Sequence, residues 1–185
     1  MSTSVLASPW LRWGLLALVQ LGLIAVPLAE RLTIHATGQE VTLEVRPVDP
    51  RDLLRGDYVI INLAIAHLDG DLPGLDRRLE AGARVHVVLE ADANGIHQPT
   101  AVLDAAPADG RLAIAGTVDY GREAGAPLAV DYGLDAFFVP EGEGRAIEEI
   151  APERMHLVAA VTRGGRSTPL RLLVDGKAIE SATGF

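Results

Sequence analysis

The sequence predicts a mainly β protein, a single β-sandwich or partly open β-barrel domain behind one N-terminal transmembrane helix. Three observations carry this expectation. One uncharged apolar run lies near the N-terminus, short alternating runs of β-formers follow it, and Gly, Asn and Asp turn signals separate those runs. The 185 residues suit one domain with an appendage. A mean hydropathy of +0.23 alongside 22% charged residues means that the apolar excess is concentrated in one place.

That place is Trp13 to Ala29, seventeen residues with no charge and with Gln20 the only strongly polar one. At about 1.5 Å per residue such a helix just crosses a hydrocarbon core. Trp10 and Trp13 stand at its start, where indole rings favour the interface, and Glu30 and Arg31 end it. Residues 1–30 are therefore expected to be an uncleaved membrane anchor, with residues 10–29 in the bilayer. A buried core helix and a removable signal peptide are the alternatives, but Val26-Pro27-Leu28-Ala29 lacks a small residue three before a cut. Arg12 biases the orientation towards a cytoplasmic N-terminus, and Arg31 offsets it.

Apart from Arg12 and Glu30, every charged side chain follows residue 30, where the net charge is −9. Such a surface is repelled by phosphate backbones, so no nucleic-acid partner is expected. The absence of cysteine excludes disulfides, thiolate metal sites and a cysteine nucleophile.

Beyond the anchor, Leu32–Ala36 and Glu40–Arg46 read as a hairpin around Thr37-Gly38-Gln39. In its second arm Val41, Leu43 and Val45 share one face. Arg84–Glu90, Arg111–Val118, Ala129–Val139, His156–Thr162 and Pro169–Val174 read as further strands. Asp92-Ala93-Asn94-Gly95, Asp109-Gly110 and Gly164-Gly165 mark turns. Leu75–Ala81 and Arg145–Ile150 read as short helices. No repeat or low-complexity tract is present.

The densest stretch runs from Arg46 to Ile65. Asp49 before Pro50 is a helix-start signature, a capping acceptor followed by a residue that needs no hydrogen-bond partner for its nitrogen. Gly56 is placed to close that turn, and a strand from Asp57 puts Val59, Ile61, Leu63 and Ile65 on a buried face. Arg51, Asp52, Arg55 and Asp57 are thereby gathered in one corner that ends at Tyr58.

This segment resembles the GDYXXLXYXI family, bacterial proteins of unknown function. The motif reads Gly56-Asp57-Tyr58-Val59-Ile60-Ile61-Asn62-Leu63-Ala64-Ile65, with Ile61 where the family has Leu and Leu63 where it has Tyr. The lead-in Val48–Arg55 and the later stretch Tyr132–Gly144 are similar as well. The resemblance implies a membrane-tethered domain that accompanies a multi-span membrane protein, and it supplies no catalytic residue.

Arg51 and Arg55, four apart, share a helical face and suit bidentate capture of a carboxylate or phosphate, or mutual neutralisation with Asp52 and Asp57. Glu141 and Glu143, with Glu148 and Glu149 beyond them, form an acidic Gly-rich loop. It suits pairing with Arg51 and Arg55, or general acid–base work if the environments of its carboxyls differ. Ser167 and Ser181 are the serines beyond the anchor, and neither stands in Gly-x-Ser-x-Gly. The five histidines are scattered without metal-ligand spacing, and His86, inside an apolar strand, is expected to be a hydrogen-bonded structural residue. No cofactor is implied. The expected function is a noncatalytic binding or accessory domain in the periplasm, anchored in the inner membrane and working with a multi-span partner. The alternative is a carboxylate-dependent hydrolase with its site near the Asp49–Tyr58 corner.

Overall fold

The computed structural model describes residues 9–46, 58–138, 150–151 and 154–180. Helix α1 (Pro9–Thr37) is followed by β1 (Gln39–Arg46), β2 (Tyr58–Ile60), β3 (Asn62–Leu63), a 3-10 turn at Ala64–Ala66 and β4 (His67–Leu68). Then come β5 (Arg84–Ala91), β6 (His97–Leu103), β7 (Ala113–Val118), β8 (Leu128–Asp131), β9 (Ala136–Phe138), β10 (Met155–Val161), β11 (Ser167–Val174) and β12 (Lys177–Glu180). The chain is mainly β, with 43% of the described residues in strands, and these residues form no closed barrel.

Two five-stranded antiparallel sheets, in the orders β12-β11-β10-β1-β3 and β4-β8-β7-β5-β6, enclose the core, and β2 and β9 make a separate pair. Val41, Leu43 and Val45 of β1, Leu157 and Val161 of β10, and Val85, Val87 and Leu89 of β5 all belong to one apolar cluster. β1 shows the period-2 burial expected of a strand with one covered face, whereas β5 from Val85 to Leu89 and β10 from Leu157 to Val161 are buried on both faces. At about 1.5–3 kcal/mol for each large apolar side chain removed from water, this cluster is the main favourable term. The sheets are stitched at two places. Thr42 bridges Ile96 and donates its N–H to His97 Nδ1 at 3.2 Å, and Ala115 donates to the Gly165 carbonyl at 2.8 Å.

Both prolines within strands sit where a missing donor does least harm. Pro99 lies on the edge strand β6, beside a register shift between Val88 and Leu89. Pro169 lies outside the stretch of β11 that pairs with β12, opposite a shift between Val158 and Ala159. β6, a run of half-buried residues interrupted by proline, is absent from the sequence expectation for that reason.

Four expectations are corrected. Residues 32–36 are the last turns of α1 and not a strand, so there is no hairpin with β1. Thr33 and Thr37 bond their hydroxyls back to the carbonyls of Ala29 and Thr33, both at 2.7 Å, and Gly38 N–H closes on the Ile34 carbonyl at 2.8 Å. These local bonds, with Ile34 buried against the β domain, outweigh the strand propensity of Thr and Ile. Residues 75–81 are not helical. Leu75 and Leu79 are buried four apart, but Leu79 exchanges both backbone bonds with Arg122 (3.1 and 2.8 Å), so the pairing partner is a distant segment.

The run from residue 129 to 139 is broken. It comprises β8 and β9 with Tyr132–Asp135 between them, and Val139 lies outside the described residues. The motif strand is likewise not continuous. β2 pairs with β9, β3 with β1 and β4 with β8, with the 3-10 turn interposed. Ile61, Leu63 and Ile65 nevertheless point into the core as alternation predicts. The segment changes strand partner while keeping its inward face. The second helix expected, over residues 145–150, lies outside the described residues except for Ile150.

Candidate functional site

Of the residues singled out from the sequence, Asp49, Pro50, Arg51, Asp52, Arg55, Gly56, Asp57, Glu141 and Glu143 lie outside the described residues, and Tyr58 is described through its backbone. What the structure establishes is where their flanks meet. In the β2–β9 pair Tyr58 is opposite Phe138, Val59 opposite Phe137 and Ile60 opposite Ala136. Ile61 then donates its N–H to the Asp135 carbonyl at 2.7 Å, which prolongs the pairing by one residue. The first residue of β2 and the last of β9 are therefore side by side. Phe137, fully buried, fixes this pair to the core.

Immediately behind this pair, the second half of the motif and the Tyr132–Asp135 bend line a cleft of about 320 Å³. Its floor is Ile61, Leu63, Val130 and Leu134, all buried, and its rim carries Asn62, His67, Asp119, Asp131 and Asp135. The three carboxylates make the rim acidic and suited to a cationic or hydrogen-bond-donating group. Among the described residues no group of three or more His, Asp or Glu side chains is arranged to hold a metal ion. Asp131 also accepts the Gly133 N–H at 2.7 Å, an Asx turn that shapes the bend.

Tyr132 ties the cleft together. Its hydroxyl donates to the Ile65 carbonyl at 2.9 Å, joining the bend to the 3-10 turn that follows the motif strand. Burial pushes the phenol far above its ordinary value, so it remains a neutral donor throughout the physiological range. The sequence marked this tyrosine only as the start of a stretch similar to the family's. Leu63, standing where the family has Tyr, is a core residue of β3.

Two further polar residues escaped the sequence reading in part or whole. Arg122 is only 8% exposed and donates from Nη2 to the Leu75 carbonyl and from Nε to the Glu123 carbonyl, both at 2.9 Å. It fastens the 72–81 loop over the core through carbonyl oxygens. Nothing in its sequence neighbourhood signals that role. His86 is also 8% exposed, and its Nδ1 is buried with no partner among the described residues. The expectation of a hydrogen-bonded structural histidine is thus not met at that nitrogen.

The α1 helix completes the picture. Large apolar side chains from Trp10 to Leu32 are exposed, with Trp10 at 86%, and none of the apolar window is buried. A core helix is thereby excluded, since a core helix is one whose apolar side chains are covered. The helix is long and apolar enough to cross a membrane, which makes the chain compatible with single-pass anchoring.

Helix and sheets together define a class, an antiparallel β domain carried on one exposed apolar helix. The family described as GDYXXLXY protein matches residues 20–172, and the chain belongs to that family. The match takes in the C-terminal half of the helix and nearly all of the β domain. Comparison with the curated proteins and with the solved structures gives no match.

Proposed function

We propose that the chain is a noncatalytic accessory domain anchored in a bacterial inner membrane through residues 10–29, with its β domain in the periplasm and a multi-span membrane protein as its partner. The observation that carries this reading is the state of α1. Its apolar side chains are exposed on every side, and it runs unbroken to Thr37, where Ile34 is buried against the β domain. Leaving that many large apolar groups in water costs some tens of kcal/mol at about 1.5–3 kcal/mol each, more than a domain's whole stability of roughly 5–15 kcal/mol. Lipid is the cover that matches the length and composition of the helix. A helix continuous with the domain holds that domain at a set height over the bilayer, as an accessory to a membrane partner requires.

The test is fractionation followed by affinity purification of the full chain from detergent-solubilised membranes. The expected result is an intact chain that resists carbonate extraction and brings down a multi-span protein in near-stoichiometric amount. A soluble chain starting near Glu30 would show that the helix is a removed signal and would overturn the reading.

A further inference from the structure

Gln20 is the one strongly polar residue of the apolar span, and it stands at the least favourable depth for an amide. The span Trp13–Ala29 is centred on Leu21, so Gln20 lies about 1.5 Å from its midpoint. Its side chain is exposed on the helix, and among the described residues it has no hydrogen-bond partner. The residues one turn away on either side, Leu16, Ala17, Leu23 and Ile24, are apolar and offer it none. A second unmet group lies one turn on. Pro27, inside the helix, has no N–H to give the Leu23 carbonyl, so that acceptor loses its intrahelical bond. Lipid tails can satisfy neither group, and in membranes such freed polar groups are met by neighbouring helices.

We propose that this side of α1 receives a transmembrane helix of the multi-span partner, one that presents a Ser, Thr, Asn or Gln side chain near the bilayer midplane. The position of the β domain selects that occupant. Leu16, Gln20, Leu23, Pro27 and Ile34 fall within about 60° of one another around an ideal helix. Among the described side chains of residues 32–37, Ile34 is the buried one, so the β domain sits on this same side of α1 and overhangs it. A second copy laid along this face would bring its own α1, unbroken to Thr37, into the space the domain occupies. A helix of a multi-span protein turns back at the membrane surface and fits beneath the overhang. At the usual spacing of about 8–10 Å between helix axes, its polar side chain reaches the Gln20 amide, which donates and accepts, and the Leu23 carbonyl, which accepts. This docking rests on the membrane reading above, and it names the surface and the chemistry by which the partner is held.

The experiment places a benzophenone amino acid at single positions of the full chain and irradiates intact membranes of the native cell. Substitution at Leu16 or Leu23 should give one discrete protein adduct. Substitution at Leu18 or Ala25, about 180–200° around the helix from Ile34, should not. Mass spectrometry should identify the adducted protein as a chain with several membrane spans. Gln20→Leu should lower the adduct yield about 3–20-fold, the range for an interhelical hydrogen bond in lipid, and Gln20→Asn should retain most of it. An adduct with a second copy of this chain, equal adducts from the Leu18 and Ala25 positions, lipid adducts alone, or a yield indifferent to Gln20→Leu overturns the proposal. Those outcomes leave the anchor standing as long as the chain resists carbonate extraction. A soluble chain starting near Glu30 overturns the anchor and the docking together.

Discussion

Tyr58 stands directly opposite Phe138 in the antiparallel β2–β9 pair, so the last residue of the arginine-bearing corner and the last described residue before the acidic loop are cross-strand neighbours. That pairing joins two strands far apart in sequence, one following the segment that holds Arg51 and Arg55 and the other preceding the segment that holds Glu141 and Glu143. The proximity of their starting points motivates the first prediction.

Arg51 or Arg55 is expected to pair with Glu141 or Glu143. Double-mutant cycles on Arg55→Ala with Glu141→Ala, repeated for Arg51 and Glu143, should show non-additive stability in at least one combination. The coupling should be about 0–1 kcal/mol if the pair is exposed. If it is buried, each single mutant should lose roughly 3–5 kcal/mol, because a lone charge is left behind. Additive losses throughout would mean that the corner and the loop act separately.

Gly38 is where the helix meets the sheet. A Cβ on it would stand 2.6 Å from the Ile34 carbonyl oxygen and 2.8 Å from the Ala160 Cβ, and neither atom belongs to a flexible side-chain end. Gly38→Ala should destabilise the chain by about 1–3 kcal/mol, the usual cost of overpacking, despite the higher helix propensity of alanine. Thermal unfolding of the detergent-solubilised chain measures this. A stabilised variant would show that α1 is not seated on β10.

Removing the Tyr132 hydroxyl leaves the Ile65 carbonyl without its side-chain donor while the ring stays in place. Tyr132→Phe should therefore cost about 1–3 kcal/mol, the penalty for an unsatisfied buried partner. Hydrogen exchange should rise locally at residues 64–68. Unchanged exchange there would separate the hydroxyl from the 3-10 turn.

Glu40 on β1 and Arg171 on β11 form a two-pronged ion pair across the intervening β10, with one contact at 3.1 Å. The hydrogen bonds from Arg171 hold the Glu40 carboxyl below its ordinary value of 4.5. A carboxylate whose folded value is depressed stabilises the fold fully above that ordinary value. The contribution is lost as pH falls from about 4.5 through the lower folded value. Because both side chains are partly exposed, screening limits the effect to about 1 kcal/mol or less. Glu40→Gln should flatten the acid limb of the melting-temperature profile below pH 4.5 and lower the melting temperature slightly at pH 7. An unaltered acid limb would assign the pH dependence to other carboxylates.

Much of this protein is determined locally and was legible as such. The apolar run from Trp13 to Ala29 is a contiguous property of the chain. The alternation of Val41, Leu43 and Val45 is a period-2 pattern that any strand with one wet face must show. Glycines placed at turn positions announced the bends at residues 92–95, 109–110 and 164–165, because positive φ is cheap for that residue alone. The motif carried the family resemblance for the same reason, being a run of consecutive residues. Only the tertiary structure decided matters that depend on partners distant in sequence. Residues 32–37 continue a helix because Ile34 is covered by the β domain and Gly38 fits against Ala160, neither of which is visible within the segment. The motif strand divides among β9, β1 and β8, since hydrogen-bond partners are chosen by the packing of whole sheets while burial follows local alternation. The spacing of Gln20 and Ile34 puts them on one side of α1, but only the seating of the β domain on Ile34 decides that this side lies beneath it.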